Sequence, residues 1–362
     1  MKDLKPIIDS IISEIIEIRQ HIHANPEIGL KEVQTASLIC ETLSKISNIT
    51  VIPKVGKTGV IGILGAGKTG PCVALRADMD ALPIQEENDL PYASRNDGCM
   101  HACGHDGHVA SLIGTARVLS TIADELEGPV KFIFQPAEEL GVGALLMKED
   151  GALEKPKVDA IFGFHCSRNL KMGQVGVKSG AFMAGSNTFT ITINGKGCHA
   201  AYPQNGIDPI LMSAHIITAL QSIVSRNISP NEKAVVSICK VEAGTAANII
   251  PEKVVLTGTM RALNTALLDK IVEQVKTIIK SIAESFGGTA TLELFNGFPV
   301  LINSEKTTDY FATIARKTVG EENLVDDYQS VMGSEDFAYF SQTVPGTYWN
   351  QGYHSLDEKN RV

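Results

Sequence analysis

The sequence predicts an α/β protein, with a main domain on a largely parallel or mixed sheet flanked by helices and an inserted ferredoxin-like domain. Short apolar runs alternate with helical segments along the first half of the chain, which is typical of a sheet covered by helices. From about residue 187 the predicted elements follow the order β-α-β-β-α-β, that of the split ferredoxin-like arrangement.

Length and composition indicate how the chain is divided and which functions are excluded. At 362 residues, two domains are favoured over one. We expect residues 1–184 and 298–362 to form the catalytic domain and residues 185–297 an inserted lid or dimerisation domain. A net charge of −9 without clustered Lys and Arg argues against nucleic-acid binding. No membrane span or secretory signal is expected, and 7 scattered cysteines predict a cytoplasmic protein.

The individual elements follow from the spacing of apolar residues. Isoleucines at helical spacing predict an opening amphipathic helix over residues 4–16, and a second helix is expected near 32–46. Buried strands are predicted for GVIGILG, CVALRA, VKFIFQ and DAIFGFH, with helices near 106–124 and 141–149. In the inserted domain, strands are predicted for NTFTITIN, AVVSICKV, KVVLTGTMRA and ATLELF, with helices over 207–225 and 264–286. A further helix is expected around 305–318.

The segment CMHACGHDGH, from Cys99 to His108, combines two cysteines, three histidines and one aspartate. Thiolate and imidazole ligands select transition metals over calcium or magnesium. Cys103 and His105 lie in a Gly-containing turn just before a predicted helix, which favours a metal site. The alternatives are a surface turn with incidental polar residues and a cysteine nucleophile with a histidine base.

Three further polar clusters, RADMDALP, QPAEE and GFHC, each follow a predicted strand. Asp78 is expected to end the second strand, Glu138 the third and His165 the fourth. Because ligands bind beyond the carboxyl ends of strands in open α/β sheets, we expect these clusters to converge. Of the adjacent Glu138 and Glu139, one could bind metal and the other act as general base. The alternative is a solvated acidic pair at a helix N-terminus.

Other candidate residues lie in the inserted domain. His199, within GKGCHAAYP, could stabilise an oxyanion if this domain acts as a lid, the alternative being an ordinary turn histidine. Arg261 offers a bidentate fork that suits a carboxylate, and Asn248 lies in the same domain.

In this order, the motifs resemble those of a family of dinuclear metallo-amidohydrolases and metallopeptidases. The family includes hippurate hydrolases, N-acyl-amino-acid deacylases and auxin-conjugate hydrolases. The matching strings are HxxPExGxxE near His23 to Glu32, RADMDALP, MHACGHDGH, QPAEE, GFH, GxGxHAAxPxxGxDPI, NIIP and MGSEDF. The resemblance spans nearly the whole chain and implies a metal-dependent amidohydrolase that cleaves the amide bond of N-acyl-L-amino acids.

The resemblance also implies a metal centre of two divalent ions per subunit. Manganese or zinc is expected, with cobalt or nickel as alternatives. The implied ligands are Cys103, His105, Glu139 and His165. Glu138 is then the general base that removes a proton from metal-bound water. Asp80, and with it Asp78, would orient an imidazole ligand.

The same resemblance implies how the small-molecule substrate is held. His199 would stabilise the tetrahedral oxyanion and contact the substrate, while Asn248 and Arg261 would bind the carboxylate of its amino-acid half. In related enzymes the lid histidine can come from the partner subunit, so we expect a homodimer through the inserted domain.

One departure from the family pattern lies near the C-terminus. Family members carry a further metal-binding histidine in a motif like HxPxFxxxDE, followed by a last helix, whereas this sequence stops at Val362. His354 follows Glu335 by only 19 residues, so we expect it to belong to a variable loop. A truncated catalytic domain with one incomplete metal site is the resulting expectation. A small dipeptidase or exopeptidase, or a catalytically impaired binding protein, are the alternative functions.

Overall fold

The structure is a computed structural model that describes residues 3–354, without the side chains at positions 296 and 354. The chain divides into two compact units. The first comprises the chain up to Phe182, Ile302–Gln329 and the residues from Asp336 onward. The second comprises Met183–Leu301 and Ser330–Glu335. The assignment of a catalytic and a lid domain, with limits at 184/185 and 297/298, remains a prediction.

Helices and strands alternate along the chain as predicted, and the α/β class is confirmed. The helices are α1 (Lys5–Ala24), α2 (Val33–Ser44), α3 (His105–Ser120), α4 (Gly143–Glu149), α5 (Pro209–Ser222), α6 (Thr265–Ser285), α7 (Glu305–Val319) and α8 (Ala338–Ser341). The strands are β1 (Ile49–Val55), β2 (Gly59–Leu64), β3 (Cys72–Asp78), β4 (Val130–Gln135), β5 (Val158–Lys171), β6 (Val175–Gly176), β7 (Gly180–Met183), β8 (Gly185–Asn194), β9 (Cys198–His199), β10 (Ala234–Ala243), β11 (Ile249–Ile250), β12 (Lys253–Ala262), β13 (Thr289–Phe298), β14 (Leu301–Asn303), β15 (Leu324–Val325) and β16 (Gly346–His354). Helix α8 and the strands β1, β6, β7, β9, β11, β14, β15 and β16 were not predicted.

The large sheet of the first unit is mixed, with the strand order β1-β2-β4-β3-β5-β16-β6-β15. Its four central strands, β4, β3, β5 and β16, run parallel. Strands β1 and β2 pair antiparallel with each other, and β2 pairs antiparallel with β4. The carboxyl ends of β3, β4 and β5 therefore point toward one edge, where α/β sheets bind ligands.

The core beside this sheet is formed by one side of each of the first three helices. Ile22 of α1, Leu43 of α2 and Ile113 of α3 are almost fully buried in one cluster with Phe132 of β4. Only part of the apolar stripe predicted for α1 is covered, since Ile12 keeps 45% of its surface exposed. Among the described residues, no helix combines the length and apolarity needed to cross a membrane.

The second unit follows the β-α-β-β-α-β order. Its antiparallel sheet has the order β10-β12-β8-β13, and α5 and α6 share a core with it. Phe189, Ile191 and Ile193 alternate along β8 with more exposed residues, as expected when helices cover one face. Asp208 caps α5, and Asn264 caps α6 with its side-chain oxygen.

A buried lysine ties β4 to the segment before β5. Lys131 is 1% exposed, and its Nζ donates to the carbonyl oxygens of Ala152, Glu154 and Pro156 at 2.8, 2.7 and 2.9 Å. Burial lowers the pKa of Lys131 from its ordinary value, opposed by the nearby Cys72 and Glu154. All three ammonium protons thus have carbonyl acceptors.

Replacing Lys131 should show how much these three hydrogen bonds stabilise the folded protein. Lys131→Met keeps the volume of the side chain but leaves three carbonyls without their donor, so we expect the free energy of unfolding to fall by about 2–4 kcal/mol. Urea denaturation followed by circular dichroism measures the change. Lys68→Met removes one bond, from Nζ to Leu126 O, and should cost less than about 1 kcal/mol. Equal losses in the two variants would contradict the assignment.

Candidate metal centre

Strand β3 delivers a buried carboxylate to the edge of the sheet. Asp78 is the last residue of β3, and its Oδ2 accepts from Arg76 Nη1 at 2.7 Å. Arg76 is 2% exposed and also donates from Nε to Gln135 Oε1 on β4 at 2.8 Å. Burial opposes ionisation of Asp78, but Arg76, His105 and His108 hold its pKa well below the usual range. Asp78 is therefore a fixed negative charge at the site.

Helix α3 begins with His105, which the preceding glycine brings close to β5. Gly104 has φ +84°, and a Cβ at this position would lie 2.6 Å from Cys166 Sγ. His105 Nδ1 donates to the backbone oxygen of Asp80 at 2.9 Å, so in the neutral imidazole, the form that binds a metal, Nε2 is the unprotonated nitrogen. Nε2 is buried, makes no hydrogen bond within residues 3–354 and lies 3.5 Å from Asp78 Oδ2.

The two glutamates follow β4 in a turn with unusual backbone geometry. Ala137 has φ +51°, a left-handed conformation, and Glu138 comes next with only 7% of its surface exposed. The backbone N–H of Glu139 donates to Asp80 Oδ2 at 3.0 Å. Glu139 Oε1 is buried and has no hydrogen-bond partner in the part of the chain that is described. Asp80 thus contacts both the His105 ring and the Glu139 backbone.

His165 lies inside β5 and not at its end, so the predicted strand boundary was wrong. Strand β5 continues to Lys171 because β16 pairs with it in parallel that far. The Nδ1 of His165 donates to the carbonyl oxygen of Cys166 at 2.7 Å, which leaves Nε2 free for a metal. The side chain of His354 is outside the described residues, so its exclusion as a ligand remains a prediction.

The four predicted metal ligands converge around one imidazole. One ligand atom each from Cys103, His105 and His165 lie within 4.8 Å of one another, and the same holds for His105, Glu138 and Glu139. His105 belongs to both groups. The three segments that carry these residues come together although they are up to 62 positions apart, from 103 to 165.

The donor set suits a divalent transition metal. Two of its buried atoms, His105 Nε2 and Glu139 Oε1, lack hydrogen-bond partners among the described residues. Burial, followed by the carboxylates of Glu139 and Glu138, raises the pKa of the Cys103 thiol far above its usual value. A cation would satisfy the open atoms and stabilise the thiolate, because metal binding deprotonates a thiol ligand. Sulfur, nitrogen and oxygen ligands together are typical of zinc-type sites.

His108 supports this centre without being a free ligand, and the sequence analysis gave it no role. Its Nδ1 donates to Asp78 Oδ1 at 2.6 Å, and its Nε2 accepts from the backbone N–H of Cys166 at 3.0 Å. The ring therefore joins β3, α3 and β5. The spacing of three residues from His105 could have indicated a shared helix face.

The alternative of a cysteine nucleophile in the segment Cys99–His108 is disfavoured, because burial and the carboxylates of Glu139 and Glu138 raise the pKa of the Cys103 thiol and so oppose formation of the thiolate. The thiol of Cys166 donates to the carbonyl oxygen of Cys103 at 3.1 Å. Two imidazoles lie beside this sulfur: His108 Nε2 already accepts a backbone hydrogen bond, and His165 Nδ1, 3.9 Å from Cys166 Sγ, already donates to the carbonyl oxygen of Cys166. The arrangement thus matches a structural role for Cys166.

A second buried cluster fixes the first turn of α3 and was not found from the sequence. His23 Nδ1 and Nε2 donate to Asp106 Oδ2 at 2.9 Å and to Glu86 Oε1 at 3.2 Å. Arg19 Nε also donates to Asp106 Oδ2, at 2.8 Å. Burial disfavours the charged forms of His23 and Asp106, but their partners outweigh it. The carboxylates of Asp106 and Glu86 raise the pKa of His23, and His23 and Arg19 lower the pKa of Asp106. Asp106 directly follows His105, so this cluster restrains a predicted ligand.

The predicted substrate-binding residues of the second unit occupy two places within it. His199 is exposed on β9, where its Nδ1 accepts from the backbone N–H of Ala201 at 3.1 Å. Asn248 directly precedes β11, which pairs with β9. Arg261 lies on β12, and its Nη1 donates to Met332 O at 2.9 Å. Their roles toward the substrate remain predictions.

Comparisons with known proteins agree with this geometry. The sequence model of peptidase family M20/M25/M40 matches residues 74–361. N-acetyl-L-cysteine deacetylase of Bacillus subtilis (strain 168) is 39% identical over 361 residues, covering 97% of this chain and 85% of that protein. IAA-amino acid hydrolase ILR1-like 2 of Arabidopsis thaliana is 42% identical over 336 residues, covering 92% of this chain and 75% of that protein.

A solved structure is similar over almost the same range. It is that of the Bacillus subtilis YXEP protein, described as a dinuclear metal binding peptidase from the M20 family. The TM-score is 0.83 at 36% sequence identity, and the match covers 98% of this chain and 92% of that chain.

The close approach at Gly104 provides a test of the metal centre. In Gly104→Ala the new Cβ meets Cys166 Sγ in a left-handed backbone conformation, so we expect the turn that positions His105 to be strained and displaced. We expect the affinity for Zn²⁺ to fall about tenfold or more, as when a supporting group of a metal ligand is lost. Competition with a chromophoric chelator measures it.

Gly107→Ala is the matched control, since its Cβ would meet nothing within 4 Å in the same helical turn. Its zinc affinity should equal that of the parent protein. If Gly104→Ala also bound zinc as tightly as the parent, His105 would not be a ligand.

Proposed function

The chain belongs to peptidase family M20/M25/M40, and on that premise we propose that it hydrolyses the amide bond of N-acyl-L-amino acids. It is a metal-dependent amidohydrolase. The observation that carries the proposal is the convergence of a thiol, a second imidazole and two carboxylates around the imidazole of His105 at the edge of the sheet. The names of the relatives, which include a deacetylase and an amino-acid-conjugate hydrolase, support the same chemistry.

Four residues of the first unit are proposed to hold two divalent cations, manganese or zinc. They are Cys103, His105, Glu139 and His165. When bound, such cations lower the pKa of the attacking water and polarise the scissile carbonyl. His105 and His165 are prepared for this task, because each donates its Nδ1 proton to a backbone carbonyl and presents Nε2.

Glu138 is the proposed general base. It lies beside the ligands His105 and Glu139 and is largely shielded from bulk water. Its carboxylate takes a proton from the attacking water as the bond to the carbonyl carbon forms. It then delivers that proton to the amide nitrogen as the C–N bond breaks. The products are a carboxylic acid and a free amino acid, and Glu138 returns to its starting state.

The second unit is proposed to bind the substrate. His199 would stabilise the oxyanion of the tetrahedral intermediate, while Asn248 and Arg261 would bind the carboxylate of the amino-acid half. The guanidinium of Arg261 has five N–H donors, so the bond to Met332 O leaves others for a carboxylate.

A cytoplasmic homodimer is the proposed setting. Strand β10 is an edge of the second unit's sheet, and its latter half is exposed, which suits pairing with a second copy. All 7 cysteines are free thiols, as a reducing compartment would keep them.

The role of Glu138 is tested by Glu138→Gln. The amide cannot accept the proton, so kcat for hippurate or N-acetyl amino acids should fall about a hundredfold or more. Metal content by elemental analysis should not change. Glu149→Gln, an exposed position on α4, should leave both quantities unchanged. A fully active Glu138→Gln would refute the assigned base.

Arg261→Lys tests the carboxylate site. Lysine keeps the positive charge but cannot form the bidentate hydrogen bonds of a guanidinium to a carboxylate. We therefore expect KM for N-acetyl amino acids to rise about tenfold with kcat nearly unchanged. N-acetyl amino-acid amides, which lack the carboxylate, should be poor substrates and respond little to the change. An unaltered KM for the acids would remove Arg261 from the substrate site. Dipeptides in the same panel distinguish an exopeptidase.

A further inference from the structure

The segment 23–32, HANPEIGLKE, carries the motif HxxPExGxxE, to which the proposed mechanism assigns nothing. It runs from the end of α1 to the start of α2 and contacts the segments that follow β3 and β4, the loop at residue 96 and the first turn of α3. The contacts are Ala81 N to Glu27 O at 2.9 Å, Asn96 Nδ2 to Pro26 O at 2.8 Å, His23 Nδ1 to Asp106 Oδ2 at 2.9 Å and Ala137 N to Glu32 Oε1 at 2.9 Å. The last of these reaches the turn that carries Glu138.

Glu32 is fully buried, with both carboxylate oxygens engaged. Oε1 accepts from the backbone N–H of Ala137 at 2.9 Å, and Oε2 accepts from Thr58 Oγ1 at 2.6 Å. Ala137 is itself buried and adopts φ +51°, a conformation that L-residues rarely take without outside support. Glu32 supplies that support at the residue directly before Glu138.

A second carboxylate holds the other side of the same turn. The backbone N–H of Glu139 donates to Asp80 Oδ2 at 3.0 Å. The residues on both sides of Glu138 are therefore tied through their N–H groups to buried carboxylates from two distant segments. The turn does not depend on its own hydrogen bonds alone for its geometry.

We propose that Glu32 is a positioning residue that sets the turn carrying Glu138 and Glu139. It acts through Ala137 and does not touch the substrate. The effect on kcat rests on the proposed function of Glu138, whereas the effect on metal coordination depends only on Glu139 as a ligand.

Two substitutions of Glu32 can distinguish a positioning role from a role in which its carboxylate transfers a proton or supplies a negative charge. In Glu32→Gln the amide oxygen can still accept from Ala137 N, and the amide nitrogen can donate to Thr58 Oγ1. In Glu32→Ala both bonds are lost. Positioning therefore predicts rescue by glutamine, and a proton-transfer or charge role does not.

The experiment compares the two variants in the 362-residue chain loaded with Co²⁺, using hippurate hydrolysis and the visible d–d absorption spectrum. Glu32→Ala should lower kcat at least tenfold, leave KM within about twofold and alter the Co²⁺ spectrum as Glu139 shifts. Glu32→Gln should recover at least a third of the parent kcat and the parent spectrum.

Glu27→Ala is the matched control within the same motif. Glu27 accepts from the N–H groups of Gln34 and Thr35 in the first turn of α2 and has no bond to the turn at 137–139. Its loss should lower the melting temperature but leave kcat and the Co²⁺ spectrum as in the parent.

Two results would overturn the inference: a folded Glu32→Ala with parent kcat and spectrum, or a Glu32→Gln as impaired as Glu32→Ala. If Glu32→Ala does not fold, Thr58→Val removes one partner of Glu32, and an unchanged spectrum and kcat there would equally overturn it. A parent protein that binds Co²⁺ but hydrolyses no acyl amino acid would refute the proposed function instead, since the spectrum needs no substrate.

Discussion

The buried ion pair of Arg76 and Asp78 is the constraint on which the metal centre depends. Two charges removed from water are tolerated only when their remaining hydrogen-bonding atoms are satisfied. Arg76 therefore also donates to Gln135 and to Asp336 Oδ1, and Asp78 also accepts from His108. These bonds fix β3, β4 and α3 relative to one another at the edge from which the proposed ligands extend.

The capacity of the site to bind a metal follows from the buried ligand atoms that this framework leaves without hydrogen-bond partners. Arg76, Asp78 and His108 are hydrogen bonded, whereas His105 Nε2 and Glu139 Oε1 are buried and, among the described residues, lack such partners. These open atoms lie beside a thiol whose pKa is raised by burial and by neighbouring carboxylates, and a divalent cation is favourable at such a place. Asp80 couples two of the ligands, because it contacts the ring of His105 and the backbone of Glu139.

The turn after β4 shows how adjacent residues of one type acquire different tasks. Glu138 and Glu139 are chemically identical, so only their surroundings can separate the proposed general base from the proposed metal ligand. The left-handed Ala137 before them is held by Glu32, and the N–H of Glu139 is held by Asp80. Local strain at a functional turn is thus maintained by buried carboxylates from elsewhere in the chain.

The sequence alone determined the order of the elements and the chemical types of the ligands, because apolar spacing and short motifs are local properties. It could not reveal that β5 continues past His165, since that depends on pairing with β16. It assigned no role to His108, to the cluster of His23 and Asp106, or to Glu32. These contacts join residues 30, 83 and 105 positions apart, and only packing of the folded chain decides which of them meet.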